Sequence, residues 1–385
     1  MSRLRILPAL LLFAFFAPAC YAQLGKSVII PAGSELDHQL TAINNAEPSA
    51  KLALIEQFAQ AHPEDDYQII ADEQYVSYYL NAKQYDKVFE YGDKLFALDP
   101  DNYSNAISLV RAANEKGDAD RLFSYGEKAN SILQRYKNSQ PPAGQDAETW
   151  QRTKTEKLAS LKDDQDYVRQ SLYSAAYNVS DPMKKGADFE RFGKMYPDTP
   201  EGAQAFTMAA VSYQQAQNRA KMLAVANNAL TLDPDNIGIL LLLADDFSEK
   251  GEQLDKAEAY AKKAAALTET AKKPDNVTDD QWKQQTSMQK GLALSALGQV
   301  SIEKKMNAQA VDNLTKAAPL LKSNPVTYAR NQYRLGFAYL NLKKNPEARQ
   351  AFTDAASVDS PYKAPSQQKL AELGGAKPAV HKKPS

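Results

Sequence analysis

Apolar residues recur at helical spacing along most of the chain, and the pattern is clearest at 329–361. There, Leu335, Tyr339 and Phe352 join several alanines at intervals of three or four residues, which gives each of two predicted helices one apolar face. A tight turn at Lys343–Pro346 separates the two helices. We find no long strand-like alternation of apolar and polar residues. The pattern therefore predicts a protein built from α-helices.

The same spacing predicts further helices from residue 47 onward, separated by turns that contain Pro or Gly. They lie at 47–61, 66–82, 85–97, 103–116, 119–136 and, as one long helix, 147–177. The segment 23–45 is weakly patterned, and we predict a flexible N-terminal lead there. The tail 373–385 is basic and contains no acidic or aromatic residue, which predicts disorder.

Two parts of the chain repeat each other at an offset of about 134 residues. The run LDPDN at 98–102 recurs at 232–236, and the two tryptophans, Trp150 and Trp282, lie at nearly the same offset. This recurrence predicts a tandem duplication of one helical block. The predicted organisation is block I at 46–178, block II at 179–312, and a C-terminal repeat with a capping helix at 313–372.

The segment 329–361 resembles the tetratricopeptide repeat, a helix–turn–helix unit of about 34 residues. Gln332 stands where the repeat has its first tryptophan. The positions that match are Leu335, Gly336, Tyr339, Ala348, Phe352 and Pro361. The resemblance implies an all-α fold, a tetratricopeptide-type α-α superhelix in which antiparallel helix pairs stack as a solenoid. It also implies a scaffold that binds other polypeptides through its concave surface.

In this family the first helix of each pair lines the concave surface. The residues that the resemblance places there are Glu73, Ser77, Asn81, Arg111, Asn114, Asp246, Arg330, Tyr333 and Phe337. The Lys/Asn arrangement with which some members hold a peptide's terminal carboxylate is absent, so that ligand is not expected. Because no core contact is predicted for Arg330, truncating it is expected to change stability by no more than about 0.5 kcal/mol.

The first 22 residues have the features of a secretory signal peptide. Arg3 and Arg5 precede the apolar run 6–16, and a small-residue cleavage site follows at Ala22. The run is too short to span a bilayer, so we expect an exported bacterial protein, periplasmic or secreted, without membrane insertion. The segment 189–200 is also similar to turns in periplasmic repeat proteins.

Cys20 is the only cysteine, and it leaves two interpretations open. Cleavage after Ala22 removes it, and the mature chain then has no disulfide. Alternatively, Cys20 is lipidated and becomes the new N-terminus. The protein would then be an envelope assembly factor tethered to the outer membrane as a lipoprotein.

Composition narrows the function classes. The chain has 385 residues, of which 43% are hydrophobic, and its formal net charge of −1 argues against a nucleic-acid binder that neutralises phosphates. Histidines occur only at 38, 62 and 381, without metal-ligand spacing, and we expect all three to be exposed. We therefore expect no metal, no cofactor and no catalytic residue. A scaffold is favoured over an enzyme, with an enzyme accessory subunit as the alternative.

Overall fold

The computed structural model describes residues 24–275 and 277–374. In these residues it contains 18 α-helices and no β-strand. The contacts divide the chain into two compact units, Met1–Asn178 (unit 1) and Val179–Ser385 (unit 2). This boundary falls where the sequence predicts the junction between blocks I and II.

Eight of the described helices belong to unit 1. They are α1 (Glu35–Asn45), α2 (Pro48–Ala61), α3 (Asp65–Asn81), α4 (Tyr85–Leu98), α5 (Tyr103–Lys116), α6 (Ala119–Lys137), α7 (Ala147–Ser160) and α8 (Lys162–Asn178). Unit 2 contains the other ten. They are α9 (Pro182–Met195), α10 (Pro200–Gln215), α11 (Arg219–Leu232), α12 (Ile237–Lys250), α13 (Leu254–Thr270), α14 (Asp279–Glu303), α15 (Asn307–Leu321), α16 (Pro325–Asn341), α17 (Asn345–Ala356) and α18 (Lys363–Gly374).

Consecutive helices pack as antiparallel pairs within each unit. In unit 2, α10 packs on α11, α12 on α13, α14 on α15, and α16 on α17. The first helices of successive pairs are also neighbours, since α12 contacts α10 and α14, and α14 contacts α16. A pair cannot bury both apolar faces alone, so this stacking supplies the core. The fold is an all-α solenoid of the tetratricopeptide type, which confirms the predicted fold class.

Close crossings within the pairs depend on glycine. A Cβ on Gly336 of α16 would lie 2.6 Å from Cε1 of Phe352 on α17, and one on Gly298 of α14 would lie 2.4 Å from Cγ of Leu314 on α15. Both distances are far below van der Waals contact, so these crossings leave no room for a larger residue. The residue of α17 that packs against Gly336 is Phe352. Ala348, also on α17, is completely buried.

The N-terminal lead differs from its prediction, because residues 35–45 form helix α1. Ser34 caps this helix by accepting a hydrogen bond from the Asp37 backbone N–H at 3.2 Å. Farther upstream, the Lys26 backbone N–H donates to the Asp99 carboxylate at 2.8 Å. Only Ile43 of α1 is buried, so the helix has little apolar pattern from which to predict it.

The predicted long helix at 147–177 is also wrong in one respect, because it breaks at Leu161 into α7 and α8. The Gln165 side chain donates to the Leu158 carbonyl at 3.0 Å and so satisfies an acceptor at the end of α7.

Among the residues described, no helix is both long enough and apolar enough to cross a membrane.

Candidate functional site

The first helices of unit 2 line two neighbouring cavities, which we call the groove. The first cavity, of about 270 Å³, is lined by Glu249, Gln299, Ile302, Glu303, Arg330, Tyr333, Arg334, Phe337 and Tyr362. The second, of about 360 Å³, is lined by Val211, Gln214, Gly238, Leu241, Leu242, Asp245, Gln289, Leu292 and Arg330. Arg330 belongs to both linings. The groove therefore follows α10, α12, α14 and α16 in succession.

Two arginines of α16 and two acids of α12 form an ion cluster in the groove. Arg330 Nη1 lies 2.6 Å from Asp245 Oδ2, and Arg334 Nη2 lies 2.9 Å from Asp245 Oδ1. Arg334 Nη2 also pairs with Glu249 Oε1. On α14, Ser295 Oγ accepts a hydrogen bond from Arg334 Nη1 at 3.0 Å. The cluster therefore links α12, α14 and α16.

The cluster is charged although it is largely buried. The Arg334 side chain is only 4% exposed. Burial disfavours the charged forms, yet Arg334 and Arg330 lower the pKa of Asp245, and Asp245 with Glu249 raises the pKa of Arg334. Near neutral pH Asp245 is thus a carboxylate and Arg334 a cation. Removing one member leaves an uncompensated buried charge.

Aromatic rings form the other wall of the first cavity. Tyr333 packs edge-on against Phe337, with ring centroids 4.9 Å apart, and lies 5.6 Å from Tyr362. Phe352 of α17 supports both Tyr333 and Phe337 from the core. Burial raises the pKa of Tyr362. The cavity thus combines apolar ring surface with charged groups.

The predicted surface residues of unit 2 separate into two groups. Arg330, Tyr333 and Phe337 come together in the first cavity. Asp246 points elsewhere, since its carboxylate receives three hydrogen bonds of 2.8–3.0 Å from Arg219 of α11. The neighbouring residue, Asp245, is the groove acid. One residue turns a helix by about 100°, so this one-position difference changes the face.

The predicted residues of unit 1 lie on the first helices α3 and α5. Glu73, Ser77 and Asn81 are exposed at four-residue spacing on α3. Arg111 and Asn114 are already engaged by α8, since Arg111 pairs with Asp164 at 3.0 Å and the Asn114 amide donates to the Tyr167 hydroxyl at 3.2 Å. These contacts occupy part of the predicted surface within the chain itself.

Glu73 also has a partner, because the Asn102 amide donates to its carboxylate at 2.8 Å. The carboxylates at 98–102 belong to a turn and helix cap, in which the Asn102 side chain accepts from the Asn105 N–H at 2.9 Å.

Cys20 and His381 lie outside the described residues. The sequence analysis expects an exposed His62, and this is wrong. His62 is half-buried between Phe58 and Tyr67, at ring-centroid distances of 4.9 and 5.7 Å.

The sequence analysis missed several groove residues, namely Asp245, Glu249, Glu303, Arg334 and Tyr362. The sequence holds a weak signal for three of them. Asp245 and Glu249 are acids four residues apart on α12, whereas Arg330 and Arg334 are bases four residues apart on α16. Which helix meets which is not local information. No group of three or more His, Cys, Asp or Glu suited to a metal ion occurs in the described part of the chain.

No protein-family model and no curated protein sequence matches the chain. Several solved structures do align with it. Yeast Tom70 aligns at 12% identity over 88% of this chain and 94% of that chain, with a TM-score of 0.28. The P58(IPK) TPR domain aligns at 15% identity over 89% and 99%, with a TM-score of 0.25. The human IFIT1 dimer with m7Gppp-AAAA aligns at 13% identity over 90% and 75%, with a TM-score of 0.36. These low scores carry no argument about function, and the fold follows from the helix pairing.

Proposed function

We propose that this protein is an exported scaffold that binds another polypeptide in the groove of unit 2. The observation that carries the proposal is that the two cavities lie next to each other along α10, α12, α14 and α16, with Arg330 in both linings. Two neighbouring cavities suit a peptide segment that extends across successive helices, with side chains entering each cavity in turn.

The chemistry of the two linings supports the same conclusion. The second cavity offers the apolar side chains of Val211, Leu241, Leu242 and Leu292, and the first offers aromatic rings beside carboxylates. Apolar surface supplies most of the binding free energy, while a few placed polar groups determine orientation. The ion cluster between the cavities holds three first helices together, which keeps the groove preorganised for binding.

Site-specific photo-crosslinking in the cell of origin tests the groove. A benzoylphenylalanine is introduced at Gln214, in the second cavity, or at Gln299, in the first. The matched control carries it at Lys316 on α15, a second helix, where the native side chain is 62% exposed. We expect one protein to be captured from both groove positions and not from Lys316. Capture from Lys316 alone, or equal capture from all three, contradicts the proposal.

Export is tested separately by the intact mass of the processed protein. Cleavage after Ala22 gives a chain that begins at Gln23, in agreement with an exported soluble scaffold. A mass that includes a diacylglyceryl group on Cys20 supports the tethered lipoprotein instead. A Cys20→Ser variant then separates the two routes, because only the lipoprotein should leave the membrane fraction when Cys20 is replaced.

A further inference from the structure

We infer that the second cavity of the groove takes a large, uncharged apolar side chain of the bound polypeptide, and that Val211 and Leu242 select it. This inference rests on the proposed function, because it names the chemistry of the segment that the groove binds. Three observations carry it: the residues that unit 1 holds at the equivalent positions, the charge balance of the cavity, and a hydrogen-bond donor of Arg330 beside it.

Unit 1 shows that the fold does not need apolar residues at these two positions. At the 134-residue offset, Val211 of α10 corresponds to Ser77 of α3, and Leu242 of α12 corresponds to Ser108 of α5. The first helices contact each other in both units, α3 with α5 and α10 with α12. Since serine suffices at these positions in unit 1, the stacking of first helices does not explain the valine and the leucine of unit 2.

The two side chains instead form part of the wall of a cavity. Val211 and Leu242 are half-buried, and with Leu241 and Leu292 they are the apolar part of a lining that encloses about 360 Å³. That volume lies near the lower end of the usual range for ligand pockets, about 300–1,000 Å³. It leaves room for a large side chain such as that of leucine, isoleucine, methionine or phenylalanine. Moving such a side chain from water to apolar walls is favourable in proportion to the area buried.

The charged groups of this lining neutralise each other. Asp245 and Arg330 are the two charged residues in it, and they form an ion pair at 2.6 Å. A lysine or a glutamate of the ligand would therefore lose hydration without gaining an unpaired charge of opposite sign, which costs free energy. The cavity thus selects against charged side chains as well as for apolar ones.

Arg330 offers a hydrogen-bond donor to the backbone of the same segment. Among the described residues, its guanidinium is hydrogen-bonded only through Nη1, to Asp245, and Nη2 has no partner. Arg330 and Arg334 are matched in charge by Asp245 and Glu249, so a neutral acceptor suits Nη2 better than a carboxylate does. A backbone carbonyl is such an acceptor. The cavity and this donor together fit an extended polypeptide that carries an apolar side chain.

Photo-crosslinking of the purified protein to defined peptides tests the inference. Benzoylphenylalanine is placed at Gln214, which lines the second cavity, or at the control position Lys316. The probes are short glycine–serine peptides, capped at both ends, whose central residue is leucine, serine, lysine or glutamate. We expect the leucine peptide to react at Gln214 at least about tenfold more than the other three, and we expect no such preference at Lys316.

Variants of the cavity wall show which residues select the leucine. Val211→Ser/Leu242→Ser installs the residues of unit 1 and should lower the yield of the leucine peptide to that of the serine peptide. Leu242→Met keeps an apolar side chain of similar volume and should stay within about twofold of the parent. The matched control is Leu232→Ser on the second helix α11, where the leucine is 54% exposed and outside the lining, and it should change nothing.

Circular dichroism checks that each variant keeps its helical fold. If the double variant does not fold, Leu242→Asn takes its place, because asparagine is polar but closer in size to leucine than serine is. It should likewise lower the yield of the leucine peptide to that of the serine peptide.

Three outcomes overturn the inference. The first is a leucine yield at Gln214 no higher than that of the serine, lysine or glutamate peptide. The second is an unchanged leucine yield in the folded polar variant, or an equal loss in Leu232→Ser. The third is a product between isotope-labelled and unlabelled chains that the peptides do not displace, which assigns the cavity to a second copy. Failure of the proposed function has a different signature, since no protein is then captured in the cell from either groove position.

Discussion

Helices α2 to α6 of unit 1 and α9 to α13 of unit 2 begin and end at nearly the same positions once 134 residues are subtracted from the second set. Pro48–Ala61 corresponds to Pro182–Met195, Tyr85–Leu98 to Arg219–Leu232, and Tyr103–Lys116 to Ile237–Lys250, each without a shift. The other two correspondences differ by one residue at one or both ends. In five consecutive helices, the local sequence therefore sets the helix ends at equivalent positions in the two units.

The turns recur as faithfully as the helices. Gly117 and Gly251 end α5 and α12 in the left-handed conformation, with φ of 74° and 65°. Lys83 and Gln217 have φ of 56° and 55° between the paired helices. These conformations follow from short-range sequence, so two copies can diverge in their cores and still keep the same boundaries. The tandem duplication itself stays a prediction.

The correspondence ends after α6. Trp150 and Trp282 are each the fourth residue of their helix, but α7 breaks at Leu161 whereas α14 continues for 25 residues. Trp150 packs edge-on against Tyr136 at 5.8 Å. A threonine, Thr270, stands in unit 2 at the position equivalent to Tyr136. The long α14 supplies Gln289, Leu292 and Gln299 to the groove, so the divergent helix is the one that builds the candidate site.

The two units carry opposite charges at one equivalent position, which in unit 2 belongs to the groove. Arg111 of α5 and Asp245 of α12 are equivalent at the 134-residue offset. In unit 1 the arginine pairs with Asp164 of the later helix α8, and in unit 2 the aspartate pairs with Arg330 and Arg334 of the later helix α16. Both units thus use this position to hold a downstream helix, with opposite polarity. The pair in unit 1 is exposed and the cluster in unit 2 is mostly buried, so their energies should differ.

Arg334→Ala should have the largest effect on stability. It leaves the mostly buried Asp245 with one cation and the partly exposed Glu249 with none, and we expect unit 2 to lose about 3 kcal/mol. Each unit contains one tryptophan, so fluorescence during urea unfolding can follow unit 2 through Trp282 in a chain that carries Trp150→Phe. A loss below about 1 kcal/mol would show that the cluster is solvated, as exposed ion pairs are.

Ala348→Leu should come next, with a loss of about 1–3 kcal/mol, because the added atoms have no space in a completely buried position of α17. The matched control is Ala308→Leu on the exposed side of α15, which should change little. Both are measured through Trp282. Solenoid repeats contact mainly their neighbours, so the signal of unit 1 should stay unchanged in both variants. Equal melting of Ala348→Leu and the parent would contradict the described register of α17.

The sequence predicted most helices because Pro, Gly and Asn caps act locally, and it predicted Arg330, Tyr333 and Phe337 from their place on a first helix. It could not predict the partners of the ion cluster, which lie 85 and 89 residues from the arginines. For the same reason, the sequence alone predicts too small a loss of stability for Arg330→Ala. Arg330 is half-buried and paired with Asp245, so its truncation should cost about 1–2 kcal/mol.

Asp72→Asn tests a core difference between the units. Asp72 of α3 is 6% exposed, and its equivalent at the 134-residue offset is the buried Phe206. Burial raises the pKa of Asp72 to about 6, against a smaller opposing effect of Lys94. The folded state therefore binds the proton more tightly than the unfolded state. Stability of unit 1 should fall as pH rises from about 4 to about 6 and then level off.

A shift of one pKa unit corresponds to about 1.4 kcal/mol. Water and Lys94 reduce the effect of burial. We therefore expect Asp72→Asn to increase the stability of unit 1 by about 1–2 kcal/mol at pH 7.5 and not to change it at pH 4. Other carboxyl groups titrate in the same range, so the relevant quantity is the difference between variant and parent at each pH. It is measured through Trp150 in a chain that carries Trp282→Phe. A gain that is the same at pH 4 and pH 7.5 would mean that Asp72 is not the titrating group.

Arg111→Ala should have the smallest effect, although Arg111 occupies the position equivalent to Asp245. The Arg111 and Asp164 side chains are 49% and 32% exposed, and water screens their 3.0 Å contact. We expect a loss of no more than about 1 kcal/mol, which should shrink further at high salt. Trp150 fluorescence in the Trp282→Phe chain measures it. A loss as large as that of Arg334→Ala would show that α8 depends on this pair. The double swap Arg111→Asp/Asp164→Arg then decides whether polarity matters. If it restores the parent stability, the position requires a pair of opposite charges in either order, as the reversal between the two units indicates.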